Sequence, residues 1–365
     1  MELISNPFRG RGLPQQPGLA EGRVARDPSQ ALALFGRCPA AAKSPLLVMP
    51  ELAEEFGVAA LYLKDERQRM GLGSFKALGA THAIAREAAL RSDTPGMTAS
   101  CEAMTDALDD TVYACASAGN HGLSVAVGAA HFGARAMIYL AESVPEAFAE
   151  RLRARGATVV RSGDDYEASM ATAAADAEAN GWTLLSDSSW PGYVEPPQRV
   201  MEGYLIMGAE IVEAMAEPPS HVFLQAGVGG LAAAMTALFR ERWGDAPTVV
   251  VVEPSAAPAL LESIRAGRPV VTSGPVSTMG RLDCKEPSHL ALAELATGAD
   301  FFVTIDDDQC AETVALLARH GIDTAPSGAS GVAGLHHAGE LRSQLGLASD
   351  SRVLAILSEG PEEGV

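Results

Sequence analysis

Apolar and polar positions divide the chain into two kinds of segment. Short apolar runs rich in valine, leucine and isoleucine occur at 61–64, 112–115, 135–140, 158–161, 183–186, 222–226, 249–253, 302–305 and 353–357. Runs of this length between turn-forming residues predict buried strands. Longer alanine-rich stretches with helical spacing lie between several of them, for example at 166–178. Strand then helix throughout predicts an α/β class, parallel sheets flanked by helices. The segment 14–40, Gly- and Pro-rich at its start, predicts a stretch wrapping the surface.

Ligands of such sheets sit at the carboxyl ends of strands, and two small-residue turns fall there. Ala116-Ser117-Ala118-Gly119-Asn120-His121-Gly122 joins the 112–115 strand to an apolar helix over 123–130. Small residues let a ligand approach the backbone, and Asn120 offers both a donor and an acceptor. A plain helix start capped by Ser117 or Asn120 accounts for this turn equally well. Gln225-Ala226-Gly227-Val228-Gly229-Gly230-Leu231 follows the 222–226 strand and opens an alanine-rich helix. Backbone N–H groups and the helix dipole make such a turn an anion cradle. Ala232 stands where a GxGxxG fingerprint has its last glycine, and no Gly-Lys-Ser/Thr follows. The bland alternative is a tight packing turn.

Lys76 stands in Gly73-Ser74-Phe75-Lys76-Ala77-Leu78-Gly79, after the charged stretch Lys64-Asp65-Glu66-Arg67. A lysine among apolar residues either snorkels its head to water or has a task for its amine. In a dry pocket the amine loses proton affinity, and its neutral form builds a Schiff base with an aldehyde. Together the chain offers a lysine for an aldehyde, an asparagine turn for a ring and a glycine nest for a phosphate. One cofactor needs all three, pyridoxal 5'-phosphate.

On these motifs the chain resembles the fold type II pyridoxal-phosphate enzymes, the group of threonine dehydratase and tryptophan synthase β, over nearly its whole length. The resemblance implies a two-domain protein of mostly parallel twisted sheets. A large cofactor-binding domain would span 1–84 and 196–365, with a small α/β domain, 85–195, inserted in it. It implies Lys76 as the Schiff-base lysine beside Phe75, and Asn120 against the ring 3-hydroxyl. Gly227, Val228, Gly229, Gly230 and Leu231 would surround the phosphate, and Ser358 (with Leu357 the neighbouring alternative) would lie near the pyridine nitrogen. Ser117, Gly119, Asn120 and His121 would take the substrate carboxylate.

A narrower resemblance is to the diaminopropionate ammonia-lyases. It rests on Leu63-Lys64-Asp65-Glu66, Met70-Gly71-Leu72, Ser186-Asp187-Ser188-Ser189-Trp190-Pro191-Gly192-Tyr193, Met201-Glu202-Gly203-Tyr204, Ser327-Gly328-Ala329-Ser330-Gly331 and Ser358-Glu359-Gly360. It implies Asp187 in the active site. Elimination needs a base for the α-proton, for which Lys76 is the candidate, and an acid for the leaving group, for which Asp187 is the candidate, a surface aspartate near a turn being the alternative. Two departures stand out. Ala118 replaces an aspartate that the family associates with the D-isomer, and Pro361-Glu362-Glu363 replaces its usual Asp-Thr. The expected function is α,β-elimination from a 2,3-diaminopropionate-like amino acid, giving a 2-oxo acid and ammonia. Ala118 also suits a dehydratase of serine, threonine or phenylserine type. A synthase adding a nucleophile and a non-catalytic cofactor binder are further alternatives.

Composition narrows the setting. At 365 residues the chain exceeds one typical core. Its net charge, 27 − 46 = −19, argues against nucleic acid or an anionic membrane as partner. Cys38, Cys101, Cys115, Cys284 and Cys310 form no CxxC pair, so no metal is expected, and reduced thiols suit a cytosol. Residues 1–7 show no leader pattern, and no apolar run nears the roughly 20 residues of a membrane helix. The expectation is a cytoplasmic enzyme with a small amino-acid substrate, a homodimer as the resemblance implies. His121 reads as structural, His131 as a helix end, and His336-His337 as a packed or solvated pair.

Overall fold

In residues 1–14, 19–92 and 100–361, which the computed structural model describes, eleven strands form two sheets. They are β1 (Leu3–Ser5), β2 (Leu46–Val48), β3 (Ala60–Asp65), β4 (Val112–Ala116), β5 (Arg135–Leu140), β6 (Thr158–Arg161), β7 (Thr183–Leu184), β8 (His221–Gln225), β9 (Thr248–Pro254), β10 (Phe301–Ile305) and β11 (Arg352–Leu357). One sheet has the order β1-β10-β9-β8-β11-β3-β2 and the other β6-β5-β4-β7. All pairings are parallel except at the edges of the larger sheet, where β1 and β2 run antiparallel to β10 and β3.

Each of the nine apolar runs becomes a strand. The two strands that the pattern misses, β1 and β2, have three residues each and too little sequence to show a period. The run at 183–186 shortens to two residues in β7, because the Ser186 N–H leaves the sheet for the Tyr193 hydroxyl, 2.9 Å away.

The larger sheet is buried on both faces. Val222, Leu224, Val249 and Val251 face one apolar cluster, and Phe223, Val250 and Val252 face the other, as the period of two requires. The long helix Glu195–Ala214 packs between the helices Gly79–Arg91 and Gly230–Trp243 on the first side. Of the 14–40 segment, 15–18 lie outside the described residues. The rest includes a helix, Ser29–Phe35, that buries Ala31 and Leu34. The Glu362 and Glu363 departure also lies outside them. All five cysteines are free thiols. Among the described residues no helix is long and apolar enough to cross a membrane.

Candidate active site

The sheets bring three chain turns together. At the end of β8, the glycine turn enters the helix Gly230–Trp243 with Gly229 as its N-cap at φ +99°, a conformation L side chains rarely adopt. A Cβ on Gly227 would stand 2.9 Å from Cys284 Sγ and 3.1 Å from the Arg281 carbonyl oxygen. Gly227 has no room for a side chain, so backbone alone lines the turn there, the form in which a helix start takes an anion.

Beyond β4, Gly119 caps the helix Asn120–His131. The expected helix over 123–130 thus starts three residues earlier, and neither Ser117 nor Asn120 caps it through a side chain. The Gly119 N–H reaches Ser117 Oγ at 3.3 Å. Asn120 donates its amide to the Glu359 carboxylate. His121 is buried, and its Nε2 sits 2.9 Å from the Leu185 carbonyl. Burial holds its pKa below the ordinary value, so the ring is neutral.

Lys76 lies on the short 3-10 turn Phe75–Leu78. That turn is tied to the end of β11: the Phe75 N–H donates to the Ser358 carbonyl at 3.0 Å and the Gly360 N–H to the Gly73 carbonyl at 3.0 Å. Ser358 is buried, its hydroxyl 3.5 Å from the Ser327 carbonyl. Lys76 Nζ forms an ion pair and hydrogen bond with Asp187 Oδ2. Burial presses the lysine pKa down, but the Asp187 carboxylate outweighs it and holds the amine well above its usual range. Burial pushes the Asp187 pKa up, yet the Lys76 ammonium holds it well below the carboxylate range. Asp187 itself sits in a small loop closed by Trp190 stacked on Tyr193, ring centroids 4.2 Å apart.

Sequence reasoning assigns Asp187 the role of an acid. In this geometry it is a carboxylate at rest, because a cation touches it. Three neighbours were given no role by the sequence. Glu359 takes the Asn120 bond, Arg281 lies over Gly119 with its Nε 3.3 Å from a Cβ placed there, and Tyr204 packs on Phe75 with ring centroids 4.9 Å apart. Glu359 and Tyr204 stand inside motifs already noted, but only long-range contact reveals what they touch. The arrangement can hold a ligand that joins an aldehyde to a phosphate, and can pass a proton between Lys76 Nζ and Asp187.

Comparison with known proteins agrees with this chemistry. The family described as "Pyridoxal-phosphate dependent enzyme" matches residues 38–359. The chain belongs to this family. The diaminopropionate ammonia-lyase of Salmonella typhimurium is 31% identical, over 98% of this chain and 95% of that protein. Solved structures of the Escherichia coli diaminopropionate ammonia lyase superpose over 98% of this chain and 93% of theirs. The complex with D-serine does so at 28% identity and TM-score 0.87, and the complex with an aminoacrylate-PLP azomethine reaction intermediate at 27% and 0.86. Like the rest of the family, the chain takes pyridoxal 5'-phosphate, and the glycine turn and Lys76 fit that group. Among the described residues, no cluster of three or more His, Cys, Asp or Glu is placed to hold a metal ion.

Proposed function

We propose that this chain is an ammonia-lyase that eliminates the β-amine of L-2,3-diaminopropionate or a near relative, giving a 2-oxo acid and ammonia. The observation that carries the reading is the Lys76–Asp187 pair beside the glycine turn. Bound there, pyridoxal phosphate supplies an aldehyde for an amine and an electron-withdrawing ring that accepts the charge left by proton removal. In this reading Phe75 flanks the lysine and Asn120 faces the ring hydroxyl. The N–H groups of Gly227, Val228, Gly229, Gly230 and Leu231 hold the phosphate, and Ser358 lies at the ring nitrogen. Ser117, Gly119 and the N–H groups of Asn120 and His121 receive the substrate carboxylate.

Lys76, freed when the substrate amine takes its place, accepts the α-proton at Nζ. The ammonium so formed is the state that Asp187 stabilises. That ammonium passes its proton to Asp187 Oδ2, and the carboxyl so formed delivers it to the departing β-group, leaving Lys76 neutral and Asp187 a carboxylate again. Lys76 lies on the side of the larger sheet and Asp187 just after β7, which supports a site between a large unit, 1–84 and 196–365, and a small one, 85–195. Free thiols support a cytoplasmic setting, and the family resemblance supports a homodimer.

Ala118 favours a second reading. It packs against the apolar core and places no carboxylate on that side of the site, which suits L-isomers and β-hydroxy substrates. A keto-acid assay on L- and D-diaminopropionate, L-serine, L-threonine and L-threo-phenylserine, with ammonia counted, separates the two. Two ammonias per pyruvate from the L-diamine alone support the lyase. One ammonia per keto acid from a hydroxy amino acid, with the diamine inert, replaces it with a dehydratase.

A further inference from the structure

Tyr204 is the least satisfied polar group near Lys76. It lies mid-helix in Glu195–Ala214 at 1% exposure, and its buried O–H finds no acceptor among the described residues, the Lys76 ammonium being placed only to donate to its oxygen. A buried phenol normally finds a partner, since leaving one unmade costs stability. Its surroundings say what is missing. Its ring packs between the first residues of two helices. A Cβ on Gly79 would stand 2.6 Å from its Cε1 and 2.9 Å from its Cζ, and one on Gly230 would stand 3.7 Å from its Cε2. Glycine at both helix starts thus makes room for this ring, and the hydroxyl carried on Cζ is brought beside the glycine turn.

Lys76 is the nearest charged neighbour, its Nζ 5.9 Å from the ring centroid. The phenol oxygen can accept from that ammonium, but the ammonium cannot take the phenol proton, because it has donors only. Burial raises the tyrosine pKa and keeps that proton in place. The O–H therefore requires an acceptor from outside the protein. The adjoining feature built for an anion is the Gly227–Leu231 turn at the start of the helix Gly230–Trp243.

We propose that Tyr204 is a ligand of the cofactor phosphate, its O–H donating to a phosphate oxygen held in the glycine turn. This rests on the reading that the phosphate occupies that turn. The hydroxyl then supplies a side-chain hydrogen bond alongside the backbone N–H groups, from the helix that also packs on the lysine segment. Cofactor affinity and lysine placement are thereby linked through one residue.

The test is equilibrium dialysis of the full chain, stripped of cofactor, against pyridoxal phosphate and against pyridoxal. Tyr204→Phe should weaken pyridoxal phosphate by about tenfold or more, the effect of losing a hydrogen bond to a charged group, and leave pyridoxal unchanged. Equal weakening of both ligands would move the hydroxyl to the aldehyde end and overturn the proposal, as would no weakening of either. Wild-type protein that binds both ligands equally well would instead overturn the reading of the glycine turn. 3-Fluorotyrosine placed at position 204 alone gives a readout that needs no stable variant. Its fluorine resonance should shift with pyridoxal phosphate and not with pyridoxal, and a shift of equal size with both would again overturn the proposal.

Discussion

Lys64 and Lys76 both lie largely out of water against a carboxylate, twelve positions apart in one segment, yet their surroundings differ. Lys64 is 1% exposed, and its Nζ donates to Glu210 at 2.6 Å and to the Ser44 carbonyl at 2.7 Å. Arg69, also buried, bonds both Glu66 and Glu210, at 2.7 Å and 2.6 Å. Two cations and two anions thus close a balanced cluster. Among the described residues Lys76 has Asp187 alone as ionic partner, with two aromatic rings as neighbours and about a fifth of its side chain still open. Burial leads in pulling the Lys64 pKa below its usual value, whereas the Asp187 charge lifts that of Lys76. Burial of a lysine does not identify chemistry. What separates the two is whether the amine's hydrogen-bonding capacity is used up inside the fold.

Breaking each lysine sharpens this contrast. Lys76→Ala should bring elimination to background while the melting temperature stays near wild type, since the site lysine is not part of the cluster. Turnover like wild type would remove Lys76 from the reaction. Lys64→Met should do the reverse. It leaves Glu210 with one fewer cation in the core and should cost roughly 3–5 kcal/mol of stability, with turnover per folded molecule retained. Chemical denaturation measures it, and Lys64→Met with Glu210→Met, which leaves the Arg69–Glu66 pair balanced, should recover most of the loss. Asp187→Asn should keep cofactor bound and slow elimination by ~10²-fold or more if the carboxyl carries the proton. An unchanged rate would reduce Asp187 to a partner that only holds Lys76 in place.

The smallest effect, read per pH unit, concerns a buried carboxylate with no cation beside it among the described residues. Glu253 accepts the N–H groups of Leu260 and Leu261, at 2.7 Å and 2.8 Å. Burial nonetheless pushes its pKa up to about 8 from an ordinary 4.5. The folded state then holds the proton more tightly than the unfolded state. Stability should be fullest below pH 4.5, fall as pH rises toward 8, and level off above it. Glu253→Gln should flatten that fall by about 1.4 kcal/mol per pH unit, read from denaturation midpoints across the window.

Much of this was legible in the chain because it is local. Nine strands announce themselves as apolar runs, and Lys76 and the glycine turn carry their chemistry in consecutive residues. What stayed hidden depends on distance in space. Glu359 meets Asn120 across 239 positions and Lys64 meets Glu210 across 146, and no period in either segment encodes those meetings. The resting ionisation state of Asp187 is hidden from the sequence for the same reason. A carboxylate's pKa is set by its neighbours, and its decisive neighbour lies 111 positions away. The edge strands β1 and β2 were missed because three residues are too few to show alternation.

The order of the larger sheet has a consequence for how the protein comes into being. β11, at 352–357, lies between β3 and β8 and pairs with both. The β3 side carries Lys76 and the β8 side carries the glycine turn, so a nascent chain lacking β11 has its two halves of the site on unjoined sheet fragments. Cofactor capture must therefore wait until synthesis has passed residue 357, and the long sequence separation of these pairings makes their closure slow. Until then two strand edges stand open, and a ribosome stalled late in the message would expose both of them to aggregation.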